Sequence, residues 1–312
     1  MQPLPAISVA DATDFLTAHL GRPVRAVEPA DAGAWSTCFG FRDGGDGSEY
    51  VVRFGRHVDD YRKDQRASAF SSPRLPIPVV TGIGPAFDGY FAISTRAHGV
   101  DLESLGRDDW TDIVPELLTV LDEIRTVPVP ADAGFGGWDA TGRAPLRTWR
   151  EHLLAVSVDT PDRRTHGWTR LLAELPFGDE AFAAGYLRLT ELADPTMNPR
   201  FLVHSDLLNR NVLVQDRRIT AVFDWGCSIY GDFLYDIAWI EFWSPWYPSM
   251  SGVDFVAAAR NRLAVQGVDV EGFDERLRCC LLHIGLDHLA YNAFTGNITE
   301  LGNTIDRLAQ FV

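Results

Sequence analysis

The sequence predicts an α+β protein of two lobes, a small antiparallel β-sheet lobe followed by a larger, mostly helical one. Three observations carry this expectation. Short apolar runs punctuated by turn residues occupy residues 36–95, the pattern of strands. Beyond Gly99 the apolar residues recur at helical spacing in longer segments. The 312-residue length is that of roughly two domains of about 150 residues. With 46% hydrophobic and 23% charged residues, the chain can bury a sizeable core, which excludes a disordered or disulfide-stapled protein.

A first helix is expected over residues 6–20, where Val9, Phe15, Leu16 and Leu20 recur behind Ser8 or Asp11 as cap. Strands are expected over residues 36–42, 49–54, 78–83 and 89–95. The glycine-rich turn from Asp43 to Gly47 makes a hairpin of the first two. Residues 59–70 are polar and helix-permissive, so one helix crosses this sheet. Helices follow over residues 110–127, 146–156, 163–175 and 179–192. Residues 201–224 interrupt them with a second hairpin, whose apolar clusters 212–214 and 219–223 flank the turn 215–218. Helices over residues 233–243, 253–265, 271–293 and 299–310 complete the chain. A link near residues 96–101 divides an N-terminal nucleotide-binding lobe, residues 1–97, from a helical catalytic and substrate-binding lobe, residues 98–312.

Charge narrows the partners. Lys+Arg 28 against Asp+Glu 43 leaves −15, which repels nucleic acid and anionic lipid and favours a cationic small molecule. No apolar run of about 18 residues and no signal-like start is present, so a cytoplasmic protein without a membrane segment is expected. Cys38, Cys227, Cys279 and Cys280 form no CxxC pair, and they read as reduced thiols rather than as a zinc site with His283 and His288. The only lysine is Lys63.

The chemistry gathers around the second hairpin. Strand 201–203 delivers the polar loop His204-Ser205-Asp206-Leu207-Leu208-Asn209-Arg210-Asn211, and Asp224 follows thirteen residues later at the exit of the next strand. Two carboxylates and a carboxamide are expected at one edge of this hairpin. Phosphoryl transfer needs such groups: a carboxylate to accept the proton of the attacking hydroxyl, and hard oxygen ligands to hold Mg2+ against the phosphates. Asp206 suits the first task, Asn211 and Asp224 the second. The spacing His-x-Asp-x-x-x-x-Asn, with a later strand-end Asp, is that of a kinase catalytic loop and its metal aspartate.

These residues resemble the aminoglycoside phosphotransferase family, and its hygromycin-type branch most of all. The resemblance runs over about residues 15–297 and includes Tyr50-Val51-Val52-Arg53, Leu75-Pro76-Ile77-Pro78, the stretch from Ile219 to Trp225, Gly231-Asp232, the stretch from Phe242 to Trp246, and Ile284-Gly285-Leu286-Asp287. It implies a two-lobed protein-kinase-like fold. It also implies a phosphotransferase dependent on ATP (or GTP) and Mg2+ that phosphorylates a hydroxyl of a hygromycin B-like antibiotic, giving resistance. Asp206 would be the catalytic base, with Asn211 and Asp224 the Mg2+ ligands.

Arg53 falls where kinases carry a phosphate-binding lysine. Asp64 is its expected acidic partner and Asp60 the second choice, while Lys63 is set aside as part of the polar helix. Residues 31–36 occupy the place of the phosphate-covering loop with one glycine, leaving Ser36 and backbone amides to make the contact. The adenine hinge is expected at residues 94–97, from Ser94 to Ala97. Glu241, Asp287 and Trp243 are candidates for the acceptor site. The acceptor is a cationic antibiotic or a sugar-like molecule, and the protein is expected to be a monomer or weak dimer.

Plainer roles suit several neighbours. His204 is read as a support for the loop backbone, Asp232 as a helix cap, and Asp236 as a brace for the catalytic loop. Trp239, Phe242, Trp243 and Trp246, at i, i+3, i+4 and i+7, read as a packing stripe. Two other functions remain open at this point: the same chemistry on another acceptor (a nucleoside or peptide antibiotic, a sugar, choline or a homoserine-like metabolite), and a catalytically silent nucleotide-binding module.

Overall fold

Helix α1 (Val9–Leu20) starts where Ser8 accepts the Asp11 amide while Asp11 accepts the Ser8 amide, a reciprocal cap. The computed structural model describes residues 7–30 and 36–312. After α1 the chain forms β1 (Val24–Ala30), β2 (Ser36–Asp43), β3 (Glu49–Gly55), α2 (Val58–Ala67), β4 (Val80–Ala86), β5 (Gly89–Thr95) and the short β6 (Val100–Asp101). Strands β1 to β5 make one antiparallel sheet in the order β1-β2-β3-β5-β4.

Alternation along β2 and β3 turns Phe39, Phe41, Val52 and Phe54 to one face, where Phe91 and Ile93 of β5 join them over Ala12 and Leu16 of α1. Phe15 of α1 meets Phe54 and Phe91 edge to face, with ring centroids 5.3 and 5.0 Å away. Burying each such ring or leucine contributes about 1.5–3 kcal/mol, so this face anchors the sheet.

Next come α3 (Arg107–Thr126), β7 (Gly136–Gly137), α4 (Trp149–Leu154), α5 (Trp168–Ala173), α6 (Gly178–Leu192), β8 (Phe201–Val203), β9 (Val212–Gln215), β10 (Arg218–Val222), β11 (Ile229–Gly231), α7 (Leu234–Trp243), α8 (Phe255–Val265), α9 (Phe273–Thr295) and α10 (Ile298–Leu308). Two small sheets accompany them, β10-β9-β6 and β7-β11-β8. Helix α9 is buried on nearly all sides, as a central helix must be. It packs against α5, α6, α7 and α10. Gly285 lets α10 close in, because a Cβ there would stand 2.7 Å from Leu308.

The chain divides into two compact units by segments rather than by a single cut. One unit comprises Met1–Ser104, Asp139–Gly142 and Arg210–Cys227; the other comprises Leu105–Trp138, Arg143–Asn209 and Ser228–Val312. The first therefore holds the five-stranded sheet and the β9-β10 hairpin, the second the helices from α3 onward. No described helix is long and apolar enough to cross a membrane.

Several elements differ from the sequence expectation. Strand β1 went unforeseen because a bulge between Arg25 and Glu28 breaks its alternation and Ala26 has φ +50°. The helix expected over residues 163–175 shrinks to α5. Asp159 holds the residues before it in a loop, accepting the amides of Gly167 and Thr169. Strand β8 pairs with β11 in its own sheet, and not with the β9-β10 hairpin.

Candidate active site

Antiparallel pairing builds one cluster of candidate residues within the sheet-bearing unit. Val212 of β9 faces Val222 of β10, and the Phe223 amide donates to the Asn211 carbonyl at 3.0 Å. Asn211 and Asp224 therefore stand at the same end of one hairpin. Asn211 is buried, and Asp224 has φ +62°, a left-handed backbone that costs a non-glycine residue energy unless its surroundings hold it.

Arg53 lies on β3 between Cys38 and Ala92 of the neighbouring strands. It forms an ion pair with Asp64 of α2, and its guanidinium lies over the Tyr61 ring, 5.2 Å from the centroid. Asp64 also accepts the Trp225 amide at 2.7 Å, so one carboxylate ties the strand cation to the turn after Asp224. Burial alone would lower the proton affinity of Arg53, but the charges of Asp64 and Asp224 raise it above its ordinary value. The cation is permanent. For Asp224, burial and the neighbouring Asp64 push the carboxyl up, against the pull of Arg53.

The stretch of the catalytic loop from His204 to Asn209 belongs to the helical unit. Asp236 of α7 is buried and accepts the His204 amide at 3.0 Å and the Ser205 amide at 2.7 Å, which holds Ser205 at φ +61°. Burial pushes the Asp236 carboxyl up to about 7, while those two amides pull it down. His204 Nδ1 accepts the Asp206 amide at 3.2 Å, and Asn209 Nδ2 donates to Asp206 Oδ1 at 2.7 Å. The backbone and the carboxylate of Asp206 thus each have a support. Asp232 binds Arg276 through both oxygens at 2.8 Å and also accepts the first amide of α7, from Leu234, at 3.1 Å.

The hairpin end brings Asn211 and Asp224 together, whereas Asp206 follows β8 of a different sheet. The strand that delivers Asp206 is therefore not part of the β9-β10 hairpin. Ser36 opens β2, with Oγ 3.6 Å from Cys38 Sγ, while residues 31–35 of the expected covering loop lie outside the described residues. Ser94 is paired within the sheet to Val51 and Val80, and Ala97 lies just beyond β5. Glu241 is bound by Arg307 at 2.9 Å and Asp287 by Arg163 at 3.3 Å. Trp243 packs on His288, Trp246 and Phe242, with centroids 4.6, 4.9 and 5.0 Å away.

Two residues escaped the sequence reading. Glu103 accepts the amide of Arg210, next to Asn211, and nothing in its neighbourhood of sequence signals that bond. Lys63 was set aside with a polar helix, yet it is buried and its Nζ donates to the Gly226 carbonyl at 2.7 Å.

A donor set of one buried carboxamide and one half-buried carboxylate suits Mg2+, which takes few protein oxygens and leaves its other positions to water and phosphate. Among the described residues, no cluster of three or more His, Cys, Asp or Glu side chains makes an all-protein metal cage. Burial that raises the proton affinity of Asp224 marks a carboxylate that a hard cation would relieve.

Comparison with known proteins fits this geometry. The hygromycin-B 4-O-kinase of Escherichia coli is 32% identical over 270 residues, 86% of this chain and 75% of the relative. A thermostable mutant of aminoglycoside phosphotransferase APH(4)-Ia, solved as a ternary complex with AMP-PNP and hygromycin B, matches with a TM-score of 0.82 at 29% identity. That match covers 96% of this chain and 97% of the other. Spectinomycin phosphotransferase APH(9)-Ia, in complex with ADP and spectinomycin, shares the fold, with a TM-score of 0.59 at 14% identity over 99% and 95% of the two chains. Residues 27–268 match the APH family of phosphotransferase enzymes, and the chain belongs to that family.

Proposed function

We propose that this protein transfers the γ-phosphoryl group of ATP, with Mg2+, to a hydroxyl of hygromycin B or a close aminoglycoside. The observation that carries this reading is the hairpin end with Asn211 and Asp224, in the same unit as the Arg53–Asp64 pair and five residues along the chain from the supported Asp206. The 32% identity to a hygromycin-B kinase supports the acceptor.

In this reading Asp206 orients the acceptor hydroxyl and takes its proton as the oxygen attacks the γ-phosphorus. The bond from that phosphorus to the bridging oxygen breaks, leaving ADP. Asn211 and Asp224 would hold Mg2+, which neutralises charge on the phosphates. Arg53 offers a planar fork to phosphate oxygens, steadied by Asp64 so that it does not swing to solvent. Ser36 with nearby amides covers the phosphates, and the backbone from Ser94 to Ala97 meets the base of ATP or GTP. Residues 1–97 act as the nucleotide-binding lobe and residues 98–312 as the catalytic and acceptor lobe.

The net charge of −15 attracts a polycationic antibiotic before contact. Glu241 and Asp287 would receive its ammonium groups, with Trp243 as a wall, although an ammonium must share those carboxylates with Arg307 and Arg163. Phosphorylation adds negative charge to a cationic drug and so spoils its fit to its target. The protein works in the cytoplasm, where ATP and the drug's target are found.

The test is kcat/KM for a panel of acceptors with ATP and Mg2+: hygromycin B, other aminoglycosides, spectinomycin, nucleoside antibiotics and simple sugars. Hygromycin B is expected to lead by at least about tenfold, the discrimination that one or two lost contacts produce. Turnover confined to a different class would overturn the acceptor assignment.

A further inference from the structure

Three side chains of α2 address one turn. Asp60, Lys63 and Asp64 fall at i, i+3 and i+4 and so share a helix face. Lys63 Nζ donates to the Gly226 carbonyl at 2.7 Å, and Asp64 Oδ1 accepts the Trp225 amide at 2.7 Å. Gly226 lies so close to the helix that a Cβ there would stand 3.1 Å from Asp60 Cγ and 3.3 Å from Asp224 Oδ1. The turn these groups grip begins at Asp224, whose φ of +62° needs outside support.

We infer that Lys63 is a positioning residue for the metal aspartate, clamping the Gly226 carbonyl so that the strained Asp224 keeps its carboxylate where Mg2+ would be taken. This rests on the reading of Asp224 as a metal ligand. Lys63 is only 6% exposed, and a buried ammonium needs acceptors such as the Gly226 carbonyl. The residue type fits the task. Every other permanently charged basic residue in the chain is arginine, whose wide planar fork suits paired oxygens. A carbonyl against a tightly packed glycine suits a compact ammonium.

The test is calorimetric binding of AMP-PNP, with and without Mg2+, to the wild-type protein and Lys63→Met, which keeps the apolar stem and removes the donor. Affinity without Mg2+ is expected to stay within about twofold, while the tightening that Mg2+ brings falls about tenfold, the usual effect of losing a group that orients a metal ligand. A merely structural role would lower both alike. Full Mg2+ tightening in Lys63→Met, beside a normal wild type, overturns the role of Lys63 alone. No Mg2+ tightening in the wild type itself overturns the metal reading and this inference with it.

If the variant does not fold, the unaltered protein still decides. Acetylation by an N-hydroxysuccinimide ester, read by mass spectrometry, can modify one ε-amine only. Lys63 should be protected further by AMP-PNP with Mg2+ than by AMP-PNP alone. Protection indifferent to Mg2+ contradicts the clamp.

Discussion

The two units differ in how they hold most of their buried ionisable groups. In the sheet-bearing unit charge is kept and balanced: Arg53 pairs with Asp64, Lys63 holds a carbonyl, and Asp224 lies within the field of both Arg53 and Asp64. In the helical unit most buried groups are driven neutral. Burial, helped by Arg163, pushes His152 down to about 4, and burial holds His283 well below its ordinary value, raises Cys279 to about 12 and lifts Asp236 to about 7. Asp232 with Arg276 is the exception, a closed ion pair at the start of α7. The difference follows from the proposed work. Phosphates and a dication need fixed opposite charges, whereas a loop that presents one base needs a rigid support that does not compete for its proton.

The largest effect that would sharpen this contrast belongs to Asp206. Asp206→Ala should lower kcat by about 10²–10⁴-fold, the usual worth of a positioned base, with nucleotide affinity nearly unchanged. Steady-state kinetics beside AMP-PNP titration separates the two. Asp224→Ala should do the reverse, weakening Mg2+-nucleotide binding by at least about tenfold. A variant that bound Mg2+-nucleotide normally would break the contrast.

Asp64→Ala comes next. It leaves Arg53, 18% exposed, without its counter-ion and frees the Trp225 amide, so denaturant unfolding should show a loss of about 3 kcal/mol. The smallest effect belongs to the helical unit. Asp236→Asn replaces one accepting oxygen by a donor and should cost about 1–3 kcal/mol at acid pH. The sign of its pH dependence is fixed by the raised folded value. Folded Asp236 keeps a proton up to about 7, well above the range where an unfolded aspartate loses it. Its stabilisation is full in acid and declines as pH rises toward 7. The melting-temperature advantage of wild type over Asp236→Asn should therefore shrink between about pH 4 and 7 and then level off. A gap that widened with pH would show Asp236 to be an anion in the folded state.

How much of this was legible in the sequence varies with the range of the interaction. The cap at Ser8, the strands around Arg53 and the spacing from Asp206 to Asn211 are local, and local pattern exposes them. The link from Arg53 to Asp64 could be foreseen because a strand cation needs an acid on the helix that crosses the sheet. The brace from Asp236 to the His204 and Ser205 amides was readable because an acid one turn into α7 has few other tasks.

What stayed hidden is non-local. Strand 201–203 was expected, but its three-residue partner β11 is announced by no periodicity, so the pairing of the two stayed hidden. Lys63 lies among charged neighbours, and only the fold shows that this face of α2 is the buried one. Glu103 is a lone acid whose role depends on where Arg210 arrives.

Phosphorus NMR of the product formed from hygromycin B, ATP and Mg2+ tests the central claim most directly. ADP and a phosphomonoester on one hydroxyl of the antibiotic are expected in equal amounts, with Asp206→Ala giving neither at a comparable rate. ATP consumed to free phosphate with hygromycin B returned unchanged, or phosphoester formation undiminished in Asp206→Ala, would contradict it.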